Sequence, residues 1–254
     1  MKFRLTAFAA VAAGLVGIAA VPASGQSLKT YRHIILDGHQ VKWGSPSAGT
    51  GAVVTYARLR DAREFPMARN CKAMAPIEPL LAASGLSMGV FDAELEAAFA
   101  LWSDAANIRF VAAKSPASAD ILIGAQAEPR GRAFTNIEYE PTGPGDIRRL
   151  TRSTICLNPE ERWKIGFDGN LEVYDLRYAL LHEIGHAIGL DHPSIDSQLM
   201  DFRYLERFRT PQEGDILGAA ALYGPSGTPG PLSSRPAQAR RLVDTSAPEL
   251  IPGG

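Results

Sequence analysis

The chain has 254 residues, of which 46% are hydrophobic and 21% are charged, and its formal net charge at pH 7 is −1. This length suits one sizeable domain with tails and disfavours two full domains. The composition is that of an ordinary soluble globular protein, and the near-neutral charge gives no footprint for nucleic acid or an anionic membrane, so neither is expected as a partner.

Residues 1–25 have the features of a secretory signal peptide. Two positive charges precede an alanine-rich apolar run, and small residues follow Pro22. The run is short and is closed by proline, which favours a cleaved signal over a stable membrane anchor. We therefore predict cleavage just before Gln26 and a secreted protein, either extracellular or periplasmic.

Residues 26–50 are predicted to form a polar N-terminal segment that ends in a loop rich in glycine and serine and is too short for a folded prodomain. β-Branched residues then predict a strand over 52–59. Between residues 60 and 90, prolines and glycines indicate an irregular insertion. The two cysteines, Cys71 and Cys156, are most simply a disulfide in an oxidising compartment, and this bond would pin the insertion.

A helix is predicted over 91–103 because apolar residues recur on one of its faces, and Trp102 in this pattern is interpreted as a core residue. Short strands are predicted over 108–112 and 120–123. A helix between strands suggests a βα unit with parallel strands. An edge strand over 131–137 and a last strand over 153–158 complete the predicted sheet.

The segment 182–192 carries the strongest signal in the sequence. His182 and His186 are four residues apart and share one face of a helix, where two imidazoles can bind one metal ion. Gly189 stands where the chain must leave the helix sharply, and this turn returns His192 as a third ligand. Three histidines leave one tetrahedral position open, which is typical of a catalytic zinc.

Glu183 follows the first histidine and can reach a zinc-activated water without binding the metal itself. It is therefore predicted to act as the general base while that water attacks the substrate, and then to pass the proton to the leaving group. Asp175 is predicted to cap the helix that carries these residues.

The C-terminal part of the chain predicts one more helix and a tail. Residues 210–213 have the pattern of a capping box with proline at the first helical position, and Gly224 is a stop signal. Residues 225–254 are rich in Pro, Gly, Ser and Ala and are predicted to be a disordered tail. The apolar residues expected to pack the helix are Ile216, Leu217 and Leu222.

The histidine segment resembles the zinc motif of the metzincin metalloproteases, and more narrowly that of the matrixin family. Weaker similarity extends over residues 41–224, and the catalytic domain is placed at 51–224. The resemblance implies a zinc metalloendopeptidase with one catalytic Zn²⁺ and an α+β (mixed α/β) fold. That fold has a mostly parallel five-stranded sheet, an antiparallel edge strand, three helices and an active-site cleft along the edge strand.

The resemblance also implies roles for other residues. Met200 corresponds to the Met-turn residue, an apolar cushion beneath the zinc ligands, and the wall of the specificity pocket is placed around Phe202 to Tyr204. The predicted edge strand would bind an extended substrate backbone. Calcium stays open, since the turn at residues 168–170 is too weak a signal to define a site.

One departure from the family concerns metal content. Vertebrate-type matrixins hold a second, structural zinc with three histidines and an aspartate. This chain has five histidines, three of which belong to the main motif, so a second zinc of that kind is not expected.

Several alternatives remain at this point. Cys71 could instead be an inhibitory thiolate ligand, as in matrixin propeptides, although it follows the first predicted strand rather than preceding the domain. The chain could be a zinc hydrolase of non-protein substrates, or a secreted binding module that keeps the metal; the intact Glu183 argues against the latter. We favour a monomeric endopeptidase acting on a protein or peptide substrate.

Overall fold

A computed structural model of the chain describes residues 30–193, 195 and 197–227. The predicted signal peptide and most of the predicted tail lie outside the described residues. The α-helices of the described part are α1 (Glu78–Ala83), α2 (Met88–Ala105), α3 (Leu176–Ala187) and α4 (Glu213–Tyr223). No helix in this part of the chain has the length and apolar character needed to cross a membrane.

The strands of the described part are short except for those at the centre of the main sheet. They are β1 (Arg32–His33), β2 (Ile35–Leu36), β3 (His39–Lys42), β4 (Ala52–Arg58), β5 (Arg63–Glu64), β6 (Ala73–Ala75), β7 (Ile108–Ala112), β8 (Ile121–Gln126), β9 (Ala133–Tyr139), β10 (Ile147–Leu157), β11 (Trp163–Lys164), β12 (Tyr174–Asp175) and β13 (Leu190–Asp191).

Five strands form the centre of the main sheet in the order β7-β4-β8-β10-β9. β4 pairs in parallel with β7 and β8, and β8 pairs in parallel with β10. β9 runs antiparallel to β10 and, among the described strands, pairs with no other. This arrangement confirms the predicted mostly parallel five-stranded sheet with an antiparallel edge strand, and the α2 connection between β4 and β7 confirms the predicted βα unit.

Shorter strands extend this sheet to nine, and the structure adds elements that the sequence did not reveal. The predicted irregular insertion contains β5, β6 and the six-residue helix α1, so the prediction of three helices missed one. Residues before position 50 also belong to the same folded unit, because β3 pairs with β10 and β1 pairs with β13. Two-residue strands carry no readable periodicity, which explains why they were not predicted.

Helix α2 supplies one side of the core. Its N-cap is Ser87, whose side chain accepts a hydrogen bond from the backbone N–H of Val90, and its buried face carries Phe99 and Trp102. The Trp102 indole is fully buried and donates to the carbonyl of Leu181 on α3 at 2.9 Å. Burial of a side chain this large contributes roughly 3 kcal/mol, so the predicted core role of Trp102 is confirmed.

A disulfide joins Cys71 to Cys156 across a sequence separation of 85 residues. In the chain-entropy model, closing a loop of this length contributes about 4 kcal/mol. The bond ties the insertion to β10, where a second small hydrophobic cluster forms around both sulfur atoms. The predicted disulfide is confirmed, and the alternative that Cys71 is a thiolate ligand is wrong.

Helix α4 begins later than predicted. Its N-cap is Gln212, and the capping box is formed by Gln212 and Asp215; the prediction of a box opening at Thr210, with proline at the first helical position, is therefore wrong. The physical reason is tertiary. Asp215 is buried and also accepts hydrogen bonds from the backbone N–H groups of Leu199 and Met200 at 2.8 and 3.2 Å, so contacts outside the helix fix where it starts.

The packing face of α4 also differs from the predicted one. Leu222 is buried, as expected, but Ile216 and Leu217 are 40% and 49% exposed. Small residues face the protein instead. At Gly218, a Cβ atom would lie 3.0 Å from the Cβ of Tyr31 in the N-terminal segment, so this close approach excludes larger side chains.

Candidate metal centre

The helix that carries the histidine motif, α3, is fixed at its N-terminus by buried charges. The Asp175 side chain caps the helix by accepting a hydrogen bond from the backbone N–H of Tyr178 at 2.8 Å, which confirms the predicted cap. Arg209 donates two hydrogen bonds to the same carboxylate, each at 3.0 Å, and a third to Glu94 at 3.2 Å. Because Asp175 is fully buried, this pairing holds the start of α3 in one position.

The end of α3 is set by a glycine turn. Gly189 has φ +102°, and a Cβ atom built on it would lie 2.3 Å from the carbonyl oxygen of Val41. Only glycine fits both the left-handed backbone and this close approach, so the predicted role of Gly189 is confirmed. β13 follows the turn, and His192 comes directly after β13.

The turn brings the three motif histidines together. The Nε2 atom of His182 lies 3.1 Å from that of His192 and 3.2 Å from that of His186, and the remaining pair is 3.1 Å apart. Nδ1 of His182 faces the carbonyl of Leu199 at 3.1 Å, and Nδ1 of His186 faces that of Leu190 at 2.8 Å. A carbonyl only accepts, so the proton of each of these two rings lies on Nδ1 and the lone pair on Nε2.

This donor set fits a zinc ion. The Nε2 lone pairs of His182 and His186 face each other at 3.2 Å with no proton between them, so the arrangement favours a cation at the centre. Three nitrogen ligands of a tetrahedral zinc lie about 3.4 Å apart, close to the observed separations of 3.1 to 3.2 Å. Among the described residues, these histidines are also the one group whose donor atoms converge in this way.

The electrostatics of the cleft favour the form of histidine that binds metal. Burial is the main cause that lowers the pKa of His182, well below its usual value, and that of His186, to about 4. Burial also lowers the pKa of His192, while Asp191 opposes the shift. All three imidazoles are therefore uncharged near neutral pH, as zinc ligation requires.

Glu183 lies next to the histidines but is not one of the converging ligands. The residue is 7% exposed, and its carboxylate accepts a hydrogen bond at 2.7 Å from the hydroxyl of Thr135 on β9. Burial raises the pKa of Glu183 to about 7, against the opposing effect of the Thr135 hydrogen bond. A carboxyl group with such a pKa can take up and release a proton near neutral pH.

Met200 packs directly beneath the helix that bears the ligands. It is buried, and a Cβ atom on Gly185 would lie 2.3 Å from its sulfur atom. Gly185 stands between the first two histidines in the sequence, so its missing side chain leaves room for the thioether. The backbone around Met200 is held in turn by Asp215 of α4.

A cleft of about 810 Å³ opens beside the histidines. Tyr204 is buried and lines its wall, whereas Phe202 is 70% exposed and stands at the rim with its ring centroid 6.5 Å from that of His192. Both predicted pocket residues thus border the cleft, but in different positions. Further lining residues that the sequence did not single out are Trp163, Tyr174, Tyr178 and Thr135; no motif or local pattern in the sequence marks them as cleft residues.

A charged network supports the pocket wall from behind. The Lys164 ammonium contacts carboxylate oxygens of Asp168 and Glu206 and donates to the carbonyl of Asn170 at 2.7 Å. Glu206 also accepts hydrogen bonds from the Tyr204 hydroxyl at 3.0 Å and from the backbone N–H of Asp168 at 3.0 Å. The turn at residues 168–170, which the sequence left open as a calcium site, is thus bound to a lysine ammonium.

The opposite side of the cleft is formed by β9 and by the insertion. The Asn136 side chain accepts from the backbone N–H of Asn70 at 2.9 Å and donates to its carbonyl at 2.8 Å. Asn70 lines the cleft. The disulfide at the next residue, Cys71, therefore holds a cleft-lining segment in place.

Comparisons with known proteins agree with this geometry. The family model for matrixin, peptidase family M10, matches residues 82–224. The chain is 30% identical to karilysin from Tannerella forsythia over 149 residues, which cover 55% of this chain and 30% of karilysin. It is 30% identical to interstitial collagenase from Sus scrofa over 152 residues, covering 57% of this chain and 30% of the relative.

Human matrix metalloproteinase-20 gives a similar result, at 31% identity over 149 residues that cover 53% of this chain and 28% of the relative. The chain thus spans less than a third of the length of these curated relatives.

Proposed function

The chain belongs to the matrixin family, and from this premise we propose that it is a secreted zinc-dependent endopeptidase. The observation that carries the proposal is the convergence of three imidazole Nε2 atoms, 3.1 to 3.2 Å apart, beside a buried carboxylate in a cleft of about 810 Å³. A site built only to hold metal would not need that carboxylate next to its open side.

His182, His186 and His192 would hold the zinc ion through Nε2. The backbone carbonyls of Leu199 and Leu190 fix the orientation of the first two rings, as partners beyond the ligands commonly do. A bound zinc ion would supply Lewis-acid chemistry, making a water acidic enough to ionise near neutral pH and polarising a carbonyl group.

Glu183 would move the proton. Its carboxylate takes a proton from the attacking water as that water adds to the peptide carbonyl, and it then donates this proton to the nitrogen of the leaving amine. Burial raises the pKa of Glu183 to about 7 in the metal-free protein, and the charge of a bound zinc ion would lower it from there, which keeps the carboxylate ionised and able to accept the proton.

An extended polypeptide suits the rest of the cleft. The free edge of β9 offers unpaired backbone groups to a substrate strand, which provides binding without regard to sequence. The aromatic pocket beside it, with Tyr204 in its wall, would accept one apolar side chain of the substrate. These two features favour a protein or peptide over a small non-peptide substrate.

Export follows from two further observations. Residues 1–25 have a signal-peptide pattern, and the Cys71–Cys156 disulfide belongs in an oxidising compartment. The protein is therefore proposed to act outside the cytoplasm.

The proposal is tested by incubating residues 26–254 with casein and with a panel of ester and amide substrates that contain no peptide bond. We expect cleavage of casein, its loss on treatment with a zinc chelator, and its recovery on addition of zinc. Cleavage of the non-peptide panel alone would favour the alternative hydrolase. Stoichiometric zinc with no cleavage of any substrate would favour the binding module.

A further inference from the structure

The Thr135 side chain lies between the edge strand and the candidate general base. Its hydroxyl oxygen is 2.7 Å from Oε2 of Glu183 and 2.9 Å from the backbone carbonyl oxygen of the same residue. Of the residues that the structure describes, Thr135 alone donates a hydrogen bond to this carboxylate. We propose that Thr135 is a positioning residue that holds the Glu183 carboxylate in its productive orientation, an inference that rests on the proposed role of Glu183.

The register of β9 sets this contact. Side chains alternate between the two faces of a strand, and the residues on either side of Thr135 face away from α3. Phe134 packs against the second hydrophobic cluster, and Asn136 binds the insertion at Asn70. Thr135 is therefore turned towards α3, on the strand whose free edge would bind the substrate backbone. One residue thus links the substrate-binding strand to the general base.

The chemistry of a hydroxyl suits this position in both halves of the reaction. A threonine hydroxyl has one proton to donate and lone pairs that accept. While Glu183 is ionised, the proton is best donated to the charged Oε2. After Glu183 has taken the proton from water on its other oxygen, Oε2 becomes the carbonyl oxygen of the neutral acid and still accepts from the Thr135 hydroxyl. The carboxyl group stays held throughout.

A contribution of Thr135 to stability alone does not explain its two hydrogen bonds to Glu183. The Glu183 carbonyl lies inside α3 and accepts the N–H four residues later as part of the helix, so it does not need the hydroxyl. Glu183 as a residue, in contrast, is 7% exposed, and its carboxylate would lose the one side-chain donor that the described residues supply. Loss of the hydroxyl should therefore act on the orientation of the carboxylate more than on folding.

The test compares three variants in the zinc-loaded protein. Thr135→Val keeps the shape of the side chain and removes the hydroxyl, whereas Thr135→Ser keeps the hydroxyl. Thr55→Val is the matched control, because the Thr55 hydroxyl is also shared between a carboxylate, Asp120 Oδ2 at 2.7 Å, and a carbonyl, that of Ser118 at 3.2 Å. Thr55 lies on β4 and does not line the cleft.

We expect Thr135→Val to lower kcat for casein-derived peptides about tenfold or more, the factor associated with a hydrogen bond to a charged group. KM and the zinc content per chain should change little. Thr135→Ser should recover most of the lost kcat. Thr55→Val should lower the unfolding midpoint while kcat stays at the wild-type value.

If the wild type turns over the substrate, the proposed function stands, and two outcomes would then refute the positioning role of Thr135. One is a kcat for Thr135→Val within twofold of wild type; the other is an equal loss of kcat in Thr135→Val and Thr55→Val. Absence of turnover in the wild type would instead count against the proposed function.

If the wild type shows no turnover, the positioning role of Thr135 can still be tested by crystallography. Crystal structures of metal-free wild type and Thr135→Val should show the Glu183 carboxylate in one conformation with the hydroxyl and displaced or in several conformations without it. An unchanged, single Glu183 conformer in Thr135→Val would refute the positioning role.

Discussion

At the residue scale, burial of the motif histidines makes the metal-free protein sensitive to acid. Burial lowers the pKa of His186 from 6.5 to about 4. Between these two pH values the unfolded chain binds more protons at this residue than the folded chain does. The contribution to stability is therefore fully present above pH 6.5 and is lost as the pH falls towards 4.

We predict that the free energy of unfolding of the chelator-treated protein falls by about 2 to 3 kcal/mol from His186 alone between pH 7 and pH 4. Urea unfolding at a series of pH values measures this loss. His186→Gln is the comparison, because titration of the carboxylates is common to both proteins and cancels in the difference. If the free energy of unfolding depends on pH in the same way in both proteins, the pKa of His186 is the same in the folded and unfolded states, and the prediction is wrong.

Zinc should oppose this acid sensitivity until protons displace it. The ligands must be unprotonated to bind the ion, so bound zinc is released as the pH falls. The same imidazoles that would hold the metal should thus set the lower limit of the pH range in which the loaded protein is stable.

At the element scale, the loop between β11 and β12 is held to the pocket wall by a lysine. Lys164 contacts Glu206, whose side chain is 7% exposed, and Glu206 in turn accepts from the Tyr204 hydroxyl at 3.0 Å. Removal of the ammonium would leave a nearly buried carboxylate without its counter-charge, which is costly. The wall that carries Tyr204 should then lose its fixed position.

We predict that Lys164→Met raises KM for peptide substrates about three- to tenfold, the factor for the net contribution of one ordinary hydrogen bond, with a smaller change in kcat. Steady-state kinetics on a peptide with an apolar residue at the cleavage site measures both constants. Lys114→Met is the matched control, because Lys114 is exposed and does not line the cleft. Equal KM values for the Lys164 and Lys114 variants would contradict a role of this network in the pocket.

Calcium provides a second readout for the same element. The ammonium of Lys164 sits among the oxygens of the turn at residues 168–170, where a cation would otherwise be needed to balance the carboxylates. If added calcium restores the KM of Lys164→Met, the lysine acts as the resident cation of this turn.

At the scale of the whole molecule, the parts that could be predicted from sequence are those built from local spacing. The metal centre needs one helix, one glycine turn and one further residue, all within 182–192, so the pattern alone brought the three histidines together. The mostly parallel sheet with an antiparallel edge strand likewise follows from a helix placed between two strands and from the resemblance to the matrixin family.

The parts that could not be predicted depend on contacts between distant residues. Thr135 and Glu183 are 48 positions apart in the sequence, and nothing near either one indicates the other. The start of α4 was misplaced for the same reason, since local capping residues competed with Asp215, which is drawn to the backbone of Leu199. Both the Thr135–Glu183 contact and the start of α4 are set by tertiary hydrogen bonds, which local sequence does not indicate.

We propose that His182, His186 and His192 bind the metal while Glu183 transfers the proton. The most direct test is to measure zinc content and peptide turnover of Glu183→Gln beside the wild type. The neutral amide keeps the size of the side chain but cannot take a proton. We predict one zinc ion per chain in both proteins and a kcat lowered by about two to four orders of magnitude in the variant. Turnover equal to wild type in a zinc-loaded Glu183→Gln protein would contradict the account.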